Sequence, residues 1–198
     1  MKLNTSINVN KIEVAERQIE TAIKMYFHEF DPISTHTLTL AGYNILRELK
    51  LKHEFSYISI RPHKKVDIDN PPTGHAYSYI TEKYRKKFFD MVSKPGNFFK
   101  HGGDINEIFT FYPATTEYFI YEAQSELTIN YKVNNFYFFA FRMWFMVHHP
   151  DVMILPEEAK KILREIHLTS KKEYRFHDFD LIKPVWEYSL KQNYGFPL

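Results

Sequence analysis

Residues 12–52 decide the fold, and they read IEVAERQIETAIKMYFHEFDPISTHTLTLAGYNILRELKLK. Apolar residues recur three and four positions apart, which is the pattern of an amphipathic helix. We expect the first helix to end near Phe30. The apolar stripe that should face a core consists of Ile12, Ala15, Ile19, Ala22, Ile23, Tyr26 and Phe27.

A second helix start follows at once. Asp31 can cap free backbone N–H groups, and Pro32 suits the first helical position. We predict that this helix runs to about Lys52. Because the connection is short, the two helices should form an antiparallel hairpin. The side chains predicted to be buried in the second helix are Leu38, Ala41, Ile45 and Leu49.

The rest of the chain is also mostly helical in pattern. Residues 54–75 break the pattern and contain two consecutive prolines, so we expect an irregular or β surface excursion there, with a short strand at 56–60. No repeat or flexible linker marks a second domain. The prediction is a single all-α domain over residues 1–198, a bundle of about six to seven helices. The further predicted helices cover 77–92, 115–131, 135–148, 156–167 and 183–192.

Composition narrows the class of protein. The chain has 198 residues, is 44% hydrophobic and lacks cysteine, which favours a folded domain without disulfides or thiolate ligands and fits a reducing cytosol. The N-terminus has no apolar run typical of a secretory signal, so we expect a cytoplasmic protein. The apolar run 136–147 is interrupted by Arg142 and is shorter than the roughly twenty residues of a membrane span. The net charge of +2 indicates neither nucleic acid nor membrane as a partner.

The common signatures of enzymes and metal sites are missing from the sequence. His148 and His149 are adjacent, so on a helix their side chains diverge and favour a structural role at the helix end over metal binding. Glu117, Glu122 and Glu126 could form half of a di-metal site, but the Glu-x-x-His pairs of such sites are missing. We therefore expect a solvated face, with no metal and no cofactor. A metal-dependent hydrolase is the last-ranked hypothesis.

The start of the second helix is the first candidate site. Asp31, Ser34, His36 and Thr37 would lie beside free N–H groups, an arrangement that can bind an anion. The alternative is plain capping, with His36 flanking the core.

Residues 97–104 form the second candidate site, a turn between helix breakers. Asn97, Lys100 and His101 would be presented there by a loop that Phe98 and Phe99 anchor. Alternatively, Asn97 caps a turn and His101 binds a carbonyl group. A polar pocket is expected where this turn meets the start of the second helix.

Three segments, ERQIETAI at 16–23, DPISTHTL at 31–38 and NFFKH at 97–101, resemble landmarks of a bacterial family of small cytosolic helical proteins with no assigned activity. The resemblance covers roughly the first two thirds of the chain. It implies a stand-alone helical domain and points to the same two stretches.

A fainter resemblance is to HEPN domains, helical bundles whose metal-independent ribonucleases carry Arg-x4-6-His at a dimer interface. Asn97 and His101 match the polar residue and the histidine of that motif, whereas Gly96 stands at the arginine position. Lys94 lies at a permitted spacing from His101, but lysine lacks the planar geometry of guanidinium. The proline and glycine at 95–96 also break the helix that normally carries the motif.

Two hypotheses follow for the function. The first is a non-catalytic binding or assembly module, expected to form a homodimer, because the chain is rich in aromatic residues and lacks enzyme signatures. The second is an HEPN-like ribonuclease or a nucleotide- or RNA-binding protein. In that case His101 would be the acid or base, His36 a second imidazole, and Lys100 or Lys94 the phosphate ligand. Basic residues at 83–100 could contact RNA, or could be the ordinary outer face of a helix.

Overall fold

A computed structural model of the chain describes residues 6–53, 104–153 and 155–169, together with 95, 98–99, 183 and 187. This part of the chain is all-α, as predicted. Its helices are α1 (Lys11–Phe27), α2 (Pro32–His53), α3 (Ala114–Tyr131), α4 (Phe136–His148) and α5 (Glu157–Thr169). The predicted helix at 77–92 and the excursion at 54–75 lie outside the described residues, and so does 183–192 apart from helical positions 183 and 187. The total of six to seven helices therefore stays a prediction.

Helix α1 is capped by hydrogen bonds at both ends. The Asn10 side chain accepts from the Glu13 N–H at 2.9 Å, and the Glu13 carboxylate accepts from the Asn10 N–H at 3.1 Å. At the other end Glu29 adopts a left-handed φ of 53°, and the Phe30 N–H donates to the Met25 carbonyl. This turn stops the helix at Phe27, so the predicted end near Phe30 is three residues too late.

The α1–α2 pair is held together by a close backbone approach at Gly42. A Cβ atom at this position would lie 2.9 Å from Ile19 Cδ1 and 3.3 Å from the Ala15 carbonyl oxygen. Ile19 and Gly42 lie at similar distances along the chain from the 28–31 connection, so the two helices run antiparallel, as predicted. The core stripe predicted for α1 is confirmed, with Ile12 and Tyr26 only partly buried.

The buried face predicted for α2 is only partly correct, since Ile45 packs against the core but the most deeply buried residues are others. The four apolar residues expected in the core are only half-buried, while Thr35, His36, Thr39, Leu40 and Leu46 are buried. Helix α2 contacts both α1 and α3, and its polar side chains form hydrogen bonds within that enclosed region. Apolar spacing alone cannot locate a face on which buried hydroxyl and imidazole groups have partners.

Helix α3 lies at the centre of the bundle. It contacts α1, α2 and α4, and 14 of its 18 residues are buried. Helix α5 packs on α4, and its partly buried Ala159 and Leu163 lie against the core. None of the described helices is long and apolar enough to cross a membrane. The largest fully buried side chains are Tyr121, Phe119, Phe138, Phe141 and Phe145.

Replacement of Gly42 by alanine tests the close approach of α1 and α2. Glycine to alanine in an unconstrained helix interior stabilises by about 1 kcal/mol. At Gly42 we expect the opposite, a loss of about 1–3 kcal/mol in the free energy of unfolding, because the new methyl group overlaps Ile19 and approaches the Ala15 carbonyl. Urea denaturation measures the change.

The Ile19→Val substitution is the matched control, since it removes the Cδ1 atom nearest to the added methyl group. In the double variant the two costs should be less than additive. A Gly42→Ala protein as stable as wild type would contradict the close approach.

Candidate functional site

Three helices meet at the carboxylate of Glu117, in the first turn of α3. The Tyr26 hydroxyl of α1 donates to Oε1 at 2.5 Å. His149, the C-cap residue of α4, lies with Nε2 2.6 Å from Oε2. Both carboxylate oxygens are therefore occupied, and one buried acid joins α1, α3 and α4.

The electrostatics of this cluster follow from its burial. Burial raises the pKa of the Tyr26 phenol, and the charge of Glu117 and the hydrogen bond to it raise it further, so Tyr26 stays a donor. An ionised Glu117 can only accept, which means that His149 Nε2 carries a proton. The pair resembles in chemistry the carboxylate–imidazole pairs that fix a histidine tautomer for proton transfer.

Aromatic rings surround the cluster. The His149 ring lies 4.6 Å from Phe145 and 5.3 Å from Tyr118, between ring centroids. The Tyr26 ring stands edge-on to Trp144 at 5.4 Å. These rings reduce contact with water, which strengthens the hydrogen bonds to Glu117.

The solvated face predicted for the glutamates of α3 is wrong. Glu117, Glu122 and Glu126 are 9%, 2% and 7% exposed. The reason is that α3 is enclosed by neighbouring helices, so each of its faces is internal. Glu126 accepts from the Asn130 amide at 2.7 Å. Within the described ranges, no three histidine, aspartate or glutamate side chains come together in a way that could hold a metal ion.

His36 is fully buried between α2 and α3. Its Nδ1 is hydrogen-bonded to Thr116 Oγ1 at 2.9 Å, and Nε2 is buried without a hydrogen-bond partner. The ring lies 4.8 Å from Phe111, 5.4 Å from Phe119 and 5.8 Å from Phe99. Burial lowers the pKa of His36 to about 4, so the ring is neutral at neutral pH.

The other predicted residues at the start of α2 act as caps. The Asp31 carboxylate accepts a hydrogen bond from the Ser34 N–H at 2.7 Å. Hydrogen bonds from the side chain and the backbone of Ser34 lower the pKa of Asp31. The Asp31 carbonyl accepts from Thr35, and the Thr37 hydroxyl donates to the Ile33 carbonyl at 2.8 Å. The N–H groups of Ser34 and Thr35 are thus already bonded to Asp31, which favours the capping alternative over the anion site.

The structure describes only part of the second candidate site, residues 97–104. Lys94, Asn97, Lys100 and His101 lie outside the described residues, so their roles and the meeting of His36 with His101 stay predictions. Phe98 and Phe99 are partly buried and contact other aromatic rings, while the loop that they were predicted to anchor lies outside the described residues. Phe98 stacks on Phe109 at 5.2 Å, and Phe99 lies 5.2 Å from Phe111.

Sequence reasoning missed two features of the bundle. One is the bond between Glu117 and Tyr26, residues 91 positions apart, for which the sequence carries no signal. The other is the bond from Arg142 Nη2 to Gln124 Oε1 at 3.2 Å. The sequence did carry a signal for this second bond, because Arg142 is the charged residue that interrupts the apolar run of α4.

The pKa of His36 predicts how stability depends on pH. Its folded-state value of about 4 lies below the unfolded value of 6.5, so between these values the unfolded chain binds more protons. Stability should therefore fall as the pH drops from 6.5 towards 4, by up to about 3 kcal/mol from this residue.

The measurement is the free energy of unfolding from urea titrations across this pH range, in wild type and in His36→Gln. Glutamine can still bond to Thr116 but does not titrate, so the variant should lose that part of the pH dependence. Identical pH profiles for the two proteins would contradict the burial of a neutral histidine.

No family model matches the chain, and neither a curated protein nor a solved structure matches it. The resemblances noted in the sequence therefore stay expectations. What the protein does must be inferred from its own side chains and their contacts.

Proposed function

We propose that this protein is a non-catalytic binding and assembly module that forms a homodimer. The observation that carries the proposal is a set of exposed apolar side chains at one end of the bundle, which we name the apolar end surface. Ile105 and Ile108 are 96% and 93% exposed. The other members are Tyr112 (67%), Phe30 (58%) and Ile33 (48%).

These residues belong to neighbouring parts of the chain. The segment 104–113 leads into α3, and its Phe111 packs against His36 in the second turn of α2. Phe30 and Ile33 flank the start of α2, so both groups lie at the end of the bundle where α2 and α3 begin. Contiguous exposed apolar surface is typical of protein interaction sites, and we propose that these five side chains form one such surface.

A second copy of the chain is the partner that the charge best supports. The net charge of +2 creates little repulsion between two copies and no strong field for an anionic polymer. A symmetric dimer would place the same apolar residues on both sides of the interface, where burying each isoleucine contributes about 2 kcal/mol.

The test is light scattering on size-exclusion chromatography from 1 to 200 µM, concentrations chosen to span those at which weak dimers dissociate. We expect a dimer for wild type. The double substitution Ile105→Asp and Ile108→Asp should weaken dimerisation at least about 100-fold, because it places charges in an apolar interface.

The matched control is Ile162→Asp, which changes an isoleucine that is 53% exposed on α5. This variant should remain dimeric. A strict monomer of the wild type at every concentration would rule out self-association through this surface.

A second candidate function, an HEPN-like ribonuclease, is supported by one contact. The Phe99 ring lies 5.8 Å from the His36 ring, and His101 follows Phe99 by two residues in the chain. We propose as this alternative that His101 acts as acid or base, with Lys100 or Lys94 binding phosphate and His36 as a second imidazole. Nucleotide or RNA binding without cleavage is the weaker form of the same idea.

The alternative is tested with a panel of structured and single-stranded RNAs in the presence of EDTA. We expect His101→Ala to reduce metal-independent cleavage at least about 100-fold. His28→Ala changes an exposed histidine that stacks on Phe30 and should leave cleavage unchanged. If wild-type protein cleaves none of the RNAs, the ribonuclease hypothesis fails.

A further inference from the structure

Arg142 is a charged residue in the most apolar helix of the bundle. Helix α4 reads FYFFAFRMWFMVH, and one turn away from Arg142 on either side lie the buried rings of Phe138 and Phe145. Its guanidinium faces α3, where Nη2 donates to Gln124 Oε1 at 3.2 Å. The residue as a whole is partly buried, and its guanidinium Nε is out of contact with solvent.

Gln124 holds the guanidinium in one position. The fully buried Gln124 amide donates from Nε2 to the Tyr121 carbonyl at 3.1 Å and to Ser125 Oγ at 2.9 Å. These two bonds fix the orientation of the amide, so that its oxygen faces Arg142. The arginine is therefore oriented by the amide oxygen of Gln124, an acceptor that carries no charge.

The positive charge of Arg142 has no acidic partner among the described side chains. Its Nε is buried and makes no hydrogen bond. Burial lowers the pKa of the guanidinium, an effect that Tyr121 opposes, but arginine stays protonated in proteins. Arg164 shows the contrast, since this exposed arginine pairs with Asp151.

A buried charge without a counter-charge destabilises a folded protein, whereas an added oxyanion would satisfy it. The planar guanidinium matches the geometry of carboxylate and phosphate groups, and the surrounding rings strengthen the attraction by excluding water. We propose that Arg142 anchors a binding site between α3 and α4 for a small ligand that carries an oxyanion group. This site is separate from the apolar end surface and goes beyond the proposed assembly function.

The first test is thermal unfolding of the full chain with sodium phosphate, compared with sodium chloride at the same ionic strength. We expect phosphate to raise the Tm of wild type by about 5 °C at saturation. Sodium acetate in the same assay distinguishes a carboxylate ligand from a phosphate ligand, and a rise with either anion supports the site.

Arg142→Met is the decisive variant. It should lose the anion-specific rise in Tm, because methionine offers the anion neither a positive charge nor a hydrogen-bond donor. General stabilisation by phosphate acts on both proteins and cancels in the comparison. Arg164→Met is the matched control and should keep the rise.

One result of this comparison would overturn the proposal. It is an equal response to phosphate in wild type and Arg142→Met, which would show an adventitious effect of the anion.

A second measurement decides the matter if Arg142→Met does not fold. In ¹H–¹⁵N spectra of wild-type protein, the Arg142 Nε–H signal, identified by its loss in Arg142→Lys, should shift as phosphate is added. A signal that does not move up to the highest phosphate concentration used in the thermal assay would equally overturn the site.

Discussion

The hydrogen bonds that Glu117 accepts from Tyr26 and His149 are the interaction on which the rest of the bundle depends. They join the end of α1, the beginning of α3 and the end of α4 at one buried carboxylate. Hydrogen bonds to both oxygens offset the cost of burying this carboxylate, and they limit how far the three helices can move relative to one another. Helices packed by apolar contacts alone have more ways to slide past one another.

Helix α3 extends the same constraint along its length. Neighbouring helices enclose α3, so its polar side chains must form hydrogen bonds inside the protein. Gln124 bonds to Arg142, Thr128 bonds to the helix backbone, and Thr116 bonds to His36. Each of these bonds has a directional requirement that apolar packing lacks. The polar groups of α3 therefore set the rotation of α2 and of α4 around it.

His36 and Arg142 show two responses to burial. The imidazole can lose its proton, so its burial produces a neutral side chain among phenylalanine rings, with a pKa of about 4. The guanidinium stays charged, and its buried Nε has no hydrogen-bond partner. This difference in chemistry is the reason that the proposed oxyanion site is placed at Arg142 and not at His36.

Three features followed from the sequence by itself: the helices within the described residues, the α1–α2 hairpin and the core stripe of α1. They did so because helix periodicity and the capping residues Asp31 and Pro32 depend on interactions between neighbours in the chain. The sequence also indicated that Phe98 and Phe99 would pack against other residues. Tertiary structure alone decided the burial of Glu117, Glu122 and Glu126 and the rotation of α2. A polar residue is solvated or buried according to whether a partner from a distant segment reaches it, and Tyr26 reaches Glu117 across 91 positions by packing rather than by any local pattern.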